Sequence, residues 1–337
     1  MQDTLRLISS YLPPKRLYSA AKIYLDYRLS LLLRRSIVNA HPPALMIEPT
    51  NICNLSCPLC PSGSGELKRA RGMMDLQLFK DITDQVHKHI GMFILWNQGE
   101  PYLNPAFNQM VSYASSKGIY TMTSTNGSLE MNPDEIIDSG LNRIIFSLDG
   151  TKAESYEQYR IGGDFELVKR NIAELTRAKR NRASKTPHIV WQFILMSHNE
   201  DEIKEAREMA KQLGVDKLEF KTVQIYDKED IAFLPSKHQF SRYKHSKDKF
   251  ELKTKLLNRC RRLWTQPVIN WDGELAICCY DKDLLFPIGN IRDHSFLSLW
   301  KSAKMNKIRR TILRSRKDIE ICRNCGEGIV QKIKLRT

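Results

Sequence analysis

Three cysteines lie close together in the run Cys53-Asn-Leu-Ser-Cys57-Pro-Leu-Cys60. Thiolates at such spacing are metal ligands of two main kinds, iron–sulfur and zinc. A 4Fe–4S cluster has four iron corners, normally held by four cysteines, so three close cysteines with no fourth nearby leave one iron open to a cofactor. Structural zinc is the rival, but it prefers paired Cys-x2-Cys units, and a three-and-two spacing suits it poorly. The remaining cysteines are Cys260, Cys278, Cys279, Cys322 and Cys325. Cys260, Cys278, Cys322 and Cys325 are separated by 17, 43 and 2 residues. Four cysteines suffice to close a second cluster, and Cys-x2-Cys at 322–325 equally suits half of a zinc knuckle. A chain of 337 residues is no short secreted disulfide framework, so clustered cysteines are read as metal ligands.

These groups need a scaffold, and the sequence predicts one. Strand candidates at 44–48, 92–96, 119–124, 143–148, 188–196 and 217–223 alternate with helix candidates at 76–89, 107–117, 133–139, 165–180 and 200–213. Gly118, Gly140 and Gly214 close three of the helices. Such alternation predicts βα units and a parallel sheet. Six units make an α/β fold of the partial (β/α)6 barrel kind, with the active site at the C-terminal ends of the strands. Residues 224–259 are polar and weakly patterned and read as a connecting region. Asp272-Gly273 between two apolar runs predicts a β-hairpin over 268–278, and 296–316 reads as one helix. The expected organisation is an N-terminal segment 1–43, a core 44–223, the connecting region, and a small hairpin-plus-helix domain 260–337 that holds the auxiliary cluster.

The Cys-x3-Cys-x2-Cys run after the first strand resembles the signature of the radical SAM superfamily, and the resemblance extends over roughly 44–223. Asn97-Gln98-Gly99-Glu100-Pro101 follows the second strand, where the family carries Gly-Gly-Glu; Gln98 replaces the first glycine, while Gly99 and Glu100 match. The resemblance implies that Cys53, Cys57 and Cys60 are the catalytic cluster's ligands and that Gly99 and Glu100 meet the amino group of S-adenosylmethionine (SAM). It implies SAM or substrate contacts for Thr125, Asn126, Ser147 and Asp149. Arg160 resembles the arginine that pairs with the SAM carboxylate in some relatives. Leu59 stands where the family usually has an aromatic residue near the adenine. Residues 260–325 resemble the SPASM/Twitch extension. Four or five cysteines there fit its single-cluster Twitch form, with Cys260, Cys278, Cys322 and Cys325 holding one auxiliary 4Fe–4S cluster and Cys279 spare. The activity implied is reductive cleavage of SAM to a 5′-deoxyadenosyl radical and hydrogen abstraction from a substrate, with a flavodoxin or ferredoxin as electron donor.

The substrate is less constrained. A net oxidation of a small polar molecule fits a single auxiliary cluster. Modification of a ribosomal peptide is common among SPASM relatives, although 1–43 is short for a leader-binding domain. A lipid or lipid-linked substrate is the third reading, and an iron–sulfur or zinc binding protein is the non-enzymatic one. The net charge of +15 favours anionic partners, but no nucleic-acid module is present and none is expected as partner. Residues 16–38 read as a basic amphipathic helix that either packs on the core or lies on an anionic membrane, and the Lys/Arg-rich stretch 301–317 offers a second basic face. No run of about 18 apolar residues exists and no signal peptide is apparent. The expected location is cytoplasmic, with peripheral contact at the inner face of the membrane.

Overall fold

A computed structural model describes residues 2–246 and 249–326. Six parallel strands form its centre: β1 (Ala44–Ile47), β2 (Met92–Ile94), β3 (Tyr120–Thr125), β4 (Arg143–Ser147), β5 (His188–Leu195) and β6 (Lys217–Thr222). Each lies beside its predecessor in space, in the order β1-β2-β3-β4-β5-β6. When every crossover is right-handed and steps the same way, the helices fall on one face and the sheet curls round the other. That is the predicted partial barrel, left open.

An N-terminal pair, α1 (Gln2–Ser9) and α2 (Pro14–Leu33), precedes the strands. The connecting helices are α3 (Leu76–Val86), α4 (Phe107–Ser116), α5 (Pro133–Asp138), α6 (Phe165–Asn181) and α7 (Ile203–Leu213). Their starts follow local chemistry. The Asp75 carboxylate accepts from Leu78 N at 2.8 Å, and Asp164 accepts from Leu167 N at 2.9 Å, each satisfying a backbone donor that the helix itself leaves unpaired. The buried stripe of α3 is Leu78, Phe79, Ile82, Thr83 and Val86, at helical spacing. It packs on a strand layer that includes Leu45, Ile47 and Phe93, and each such side chain fully buried contributes roughly 1.5–3 kcal/mol.

The remaining elements depart from expectation in four places. The predicted hairpin forms as β9 (Val268–Ile269) and β10 (Leu275–Ala276), yet it is not set apart: β9 pairs in parallel with β1, making one eight-stranded sheet in the order β10-β9-β1-β2-β3-β4-β5-β6. The connecting region carries its own antiparallel pair, β7 (Tyr243–His245) and β8 (Phe250–Leu252). The single helix predicted over 296–316 is two, α8 (Phe296–Trp300) and α9 (Ala303–Arg314), because the Ser302 hydroxyl accepts from Met305 N and starts a new helix. The N-terminal helix runs over 14–33 rather than 16–38. Residues 327–337 of the predicted C-terminal domain lie outside the described residues.

Candidate active site

The first cysteine loop leaves the C-terminal end of β1. Cys57 is buried, while Cys53 and Cys60 are half-buried. Tight turns shape the loop: Cys60 N donates to Cys57 O at 3.1 Å, and Gly63 N and Ser64 N both donate to Cys60 O at 2.8 Å. Gly63 is required by close approach, since a Cβ there would stand 2.7 Å from Cys57 N. Sequence reasoning passed over this glycine, which carries no motif. Burial pushes the Cys53 thiol up to about 11 and Cys57 upward as well, and the neighbouring thiols add to both shifts. Buried thiolates need positive charge close by, and a metal centre supplies it. Polar donors are aimed at the loop: Asn126 Nδ2 lies 3.8 Å from Cys53 Sγ and Arg160 Nη1 lies 3.9 Å from Cys57 Sγ. Among the described residues, no three His, Cys, Asp or Glu side chains form a site for a single metal ion. The donor set, all thiols on one tight loop, fits the iron–sulfur cluster that the sequence implies.

The ends of β2, β3 and β4 bring the other predicted residues to the same side. Gly99 has φ +73°, and a Cβ on it would stand 2.6 Å from Ile52 O, so glycine lets the β2 loop press against the cysteine loop. Glu100 is buried, and its carboxylate accepts from Thr125 Oγ1 at 2.8 Å, Asn126 N at 2.7 Å and Tyr102 N at 3.1 Å. Burial pushes this carboxyl up to about 7 against those hydrogen bonds. Three bonds leave one of its roughly four acceptor positions for an ammonium group. Gln98 is explained locally: its amide oxygen takes a hydrogen bond from Ser62 Oγ at 3.2 Å, tying the β2 loop to the turn after Cys60.

Ser147 faces Ser124 at 3.4 Å. Asp149 and Arg160 meet each other, which the sequence did not show. The Arg160 Nε and Nη2 atoms lie 2.7 and 2.5 Å from Asp149 Oδ2, and Ile194 N donates to Asp149 Oδ1 at 2.6 Å. Asp149 thus pairs with the guanidinium that approaches the cysteine loop at Cys57. Burial works against the Arg160 charge, but Asp149 and Cys57 outweigh it and keep the guanidinium charged.

A buried carboxylate missed from sequence, Glu48, closes the site from behind. It takes Arg69 Nη1 at 2.8 Å and Nη2 at 2.5 Å, and also accepts from Gln98 N at 3.2 Å and Trp271 N at 3.3 Å. One residue at the end of β1 thereby joins the β2 loop, the β9–β10 hairpin and the segment after the cysteine loop. The bidentate geometry explains why arginine occupies position 69.

Cys260, Cys278, Cys322 and Cys325 are all buried. Burial is the first cause that raises the pKa values of Cys278 and Cys322; after it Cys278 feels Cys279, Cys260 and Cys322, and Cys322 feels Cys260 and Cys325. Cys279 is half-buried, and Arg262 Nη1 lies 2.9 Å from its sulfur. Arg316, also unforeseen, is buried beside Cys325, Cys260 and Cys322, and its Nη2 donates to Cys325 O at 3.3 Å. This set too is an all-thiol group with a cation beside it, suited to a closed cluster. Between the two sets opens a cleft of about 630 Å³, walled by Leu59 and Pro61 of the first cysteine loop and by Tyr280 and Ile321 beside the second. Glu66, Lys68, Asp227, Asp230, Lys282 and Asp283 line it with charge of both signs.

An open parallel barrel with a three-cysteine loop at its strand ends, and a second cysteine set across a cleft, defines an iron–sulfur enzyme. Residues 47–213 match the family model described as the radical SAM superfamily, and residues 260–326 match the one described as an iron–sulfur cluster-binding domain, SPASM. The chain belongs to the radical SAM superfamily and carries a SPASM domain. Membership brings a SAM-binding 4Fe–4S cluster and auxiliary cluster binding. The mycofactocin maturase MftC of Mycobacterium ulcerans is 32% identical over 140 residues, 41% of this chain and 37% of that protein. The PqqA peptide cyclase of Gluconobacter oxydans is 30% identical over 203 residues, 59% of this chain and 55% of that protein. The chain thus spans little more than a third of the first relative's length and little more than half of the second's. The fold resembles that of BtrN, solved in complex with AdoMet and 2-DOIA, with a TM-score of 0.56 and 16% identity over 88% of this chain and 98% of that one.

Proposed function

We propose that this enzyme carries out a net oxidation of a polar substrate held in the cleft between its two cysteine sets. Cys53, Cys57 and Cys60 would hold the catalytic cluster with one iron open. Cys260, Cys278, Cys322 and Cys325 would hold a single auxiliary cluster. When bound, the catalytic cluster and SAM supply the 5′-deoxyadenosyl radical that takes hydrogen from the substrate. The protein's own part is positioning. Glu100, set by Thr125 and Asn126, offers a carboxylate for the SAM ammonium; Gly99 lets its loop come close; Arg160, braced by Asp149, offers a guanidinium for the SAM carboxylate; Ser147 lies on the adjoining strand end. Leu59 and Pro61 form an apolar wall of the cleft. The observation that carries the reading is the cleft, walled by chain neighbours of both cysteine sets, Leu59 and Pro61 on one side and Tyr280 and Ile321 on the other, and lined by carboxylates and lysines. Such a lining suits a substrate with hydroxyl or amino groups better than an acyl chain. Electrons would come from a flavodoxin or ferredoxin, and the expected setting is the cytoplasm.

A second reading, maturation of a peptide, is favoured by the peptide cyclase and the maturase among the relatives. The test is anaerobically reconstituted protein with SAM and dithionite, assayed for 5′-deoxyadenosine. Formation of the nucleoside is expected, and its absence from fully loaded protein overturns the proposal. Candidate polyols and aminocyclitols are then compared with short peptides for acceleration of that reaction. Acceleration by peptides alone replaces the first reading with the second.

A further inference from the structure

The N-terminal helices are built with their polarity reversed. Polar side chains face the protein. Arg16 is buried and donates to Ser10 O, His87 O, Lys117 O and Gly118 O. Asp26 is buried and bonds Lys22 Nζ at 2.7 Å and Asn39 N at 2.6 Å. Asp3 is held by Tyr120 and Arg143. Apolar side chains face outward: Leu12 is 64% exposed, Leu17 54%, Tyr18 64%, Tyr24 58%, Leu25 51% and Leu32 77%. Of 14 exposed large apolar side chains among the described residues, nine lie between Leu5 and Leu33. On α2 the positions 17, 18, 21, 24, 25, 28 and 32 follow the helical period and make one stripe. So concentrated an apolar surface marks an interaction site.

The charge around it has one sign. The first 35 residues contain seven Lys and Arg and two acids, Asp3 and Asp26, and both acids are turned inward against partners. Arg28, within the stripe, is exposed, as are Lys15, Arg34 and Arg35. The α8–α9 segment adjoins: Arg34 Nη1 donates to Leu313 O at 2.9 Å and Lys301 Nζ to Asn39 O at 3.0 Å. There Lys304, Lys307, Arg310 and Arg314 are exposed, while Arg309 and Arg316 are buried and leave the predicted basic face.

We infer that the outer face of α1 and α2 docks this protein on an anionic phospholipid surface. Leu and Tyr side chains enter the headgroup boundary and the basic residues meet lipid phosphate, as interfacial helices do. A second copy of the chain fits worse, because two such faces would set like charge against like with no exposed acid between them. The placement also orients the enzyme. Tyr11 Oη donates to Pro43 O just before β1, Tyr120 begins β3, and Arg143 begins β4. These helices therefore lie across the N-terminal ends of the strands, and the cysteine loops lie at the opposite ends. The docked enzyme turns its cleft away from the bilayer, so docking does not require a lipid substrate.

The test is co-sedimentation of the full reconstituted protein with phosphatidylcholine vesicles and with phosphatidylcholine–phosphatidylglycerol vesicles. The wild type is expected to pellet with the anionic vesicles only, and to be released by high salt. The Leu17→Glu/Leu25→Glu variant, whose changes fall on exposed positions, is expected to keep its thermal midpoint and to lose at least about tenfold in partition. Wild type that stays in the supernatant with both vesicles overturns the inference, as does pelleting that the variant leaves unchanged. Concentration-dependent dimerisation that the variant abolishes, without vesicle binding, also overturns it by assigning the face to a second copy. Formation of 5′-deoxyadenosine is read separately, so failure here leaves the proposed reaction untouched.

Discussion

Arg16 is where a single substitution should release the N-terminal helices without unfolding the barrel. Its guanidinium donates to His87 O at 2.8 Å, Ser10 O at 2.9 Å, Lys117 O at 2.7 Å and Gly118 O at 2.5 Å. A hydrogen bond from a charged donor is worth about 1.5–3 kcal/mol net, so four give a ceiling of roughly 6–12 kcal/mol. The real effect is smaller. Lys117 and Gly118 end α4 near the surface, where water replaces the lost donor, and the four bonds share one side chain and do not add. A loss of about 3 kcal/mol in docking is expected for Arg16→Ala, or about two orders of magnitude in local opening. Hydrogen exchange followed by mass spectrometry should show faster exchange over residues 2–33, with the strands β3 to β5 unchanged. Unaltered protection over 2–33 would refute the reasoning, because it would mean the apolar contacts of Ile23 and Tyr27 suffice to dock the helices. A uniform loss across the sheet would refute it differently, by showing that the helices and barrel unfold as one unit.

Other outcomes follow from the same geometry. Burial raises the Asp3 carboxyl, but its hydrogen bonds with Tyr120 and Arg143 outweigh this and leave it below its ordinary value; the docking of α1 is thus fully stabilised above about pH 4 and lost as pH falls through the lowered value. Exchange protection of α1 measured against pH should show this, and Asp3→Asn should lack the acid transition; the same transition in both sinks the assignment. Iron analysis after reconstitution should find about half the wild-type iron in Cys278→Ser and full iron in Cys279→Ser, because Cys278 is the buried member of the pair; the reverse result moves the ligand to Cys279. Glu100→Gln should weaken SAM binding by about 10–100-fold, through loss of a charge-assisted bond, with the cluster's spectrum in the absence of SAM retained; unchanged affinity excludes Glu100 as the ammonium partner. Arg309 is buried against Trp300, its guanidinium 4.0 Å from the ring centre, and donates to Leu263 O and Trp300 O; Arg309→Met should lower stability in urea by about 2–4 kcal/mol, and a neutral result would show that packing alone holds α9.

The chemistry of the first cysteine loop was legible in the sequence because it is local: three thiols a few residues apart share a loop whatever surrounds them. The strand and helix alternation was legible for a similar reason, since periodicity and the closing glycines act over one or two turns. The N-terminal segment was only half legible. Its composition pointed to an amphipathic helix with a basic edge, but an apolar stripe is ordinarily assigned to the core. The inversion depends on partners supplied from outside the helix, such as Lys117 O, which accepts from Arg16, and Asn39 N, which donates to Asp26.

By itself, then, the sequence determined the ligand types, the order of the six βα units and the likeness to a superfamily of SAM-dependent iron–sulfur enzymes. The tertiary structure alone decided the partners. Asp149 and Arg160 are 11 residues apart, yet they meet only because the ends of β4 and β5 hold Asp149 in place. Glu48 and Trp271 are 223 residues apart, and they join because β9 pairs with β1. The physical reason is the range of the forces involved. Spacing along the chain fixes which groups a loop or helix carries, whereas a buried charge takes whichever opposite group the packing brings within hydrogen-bond distance.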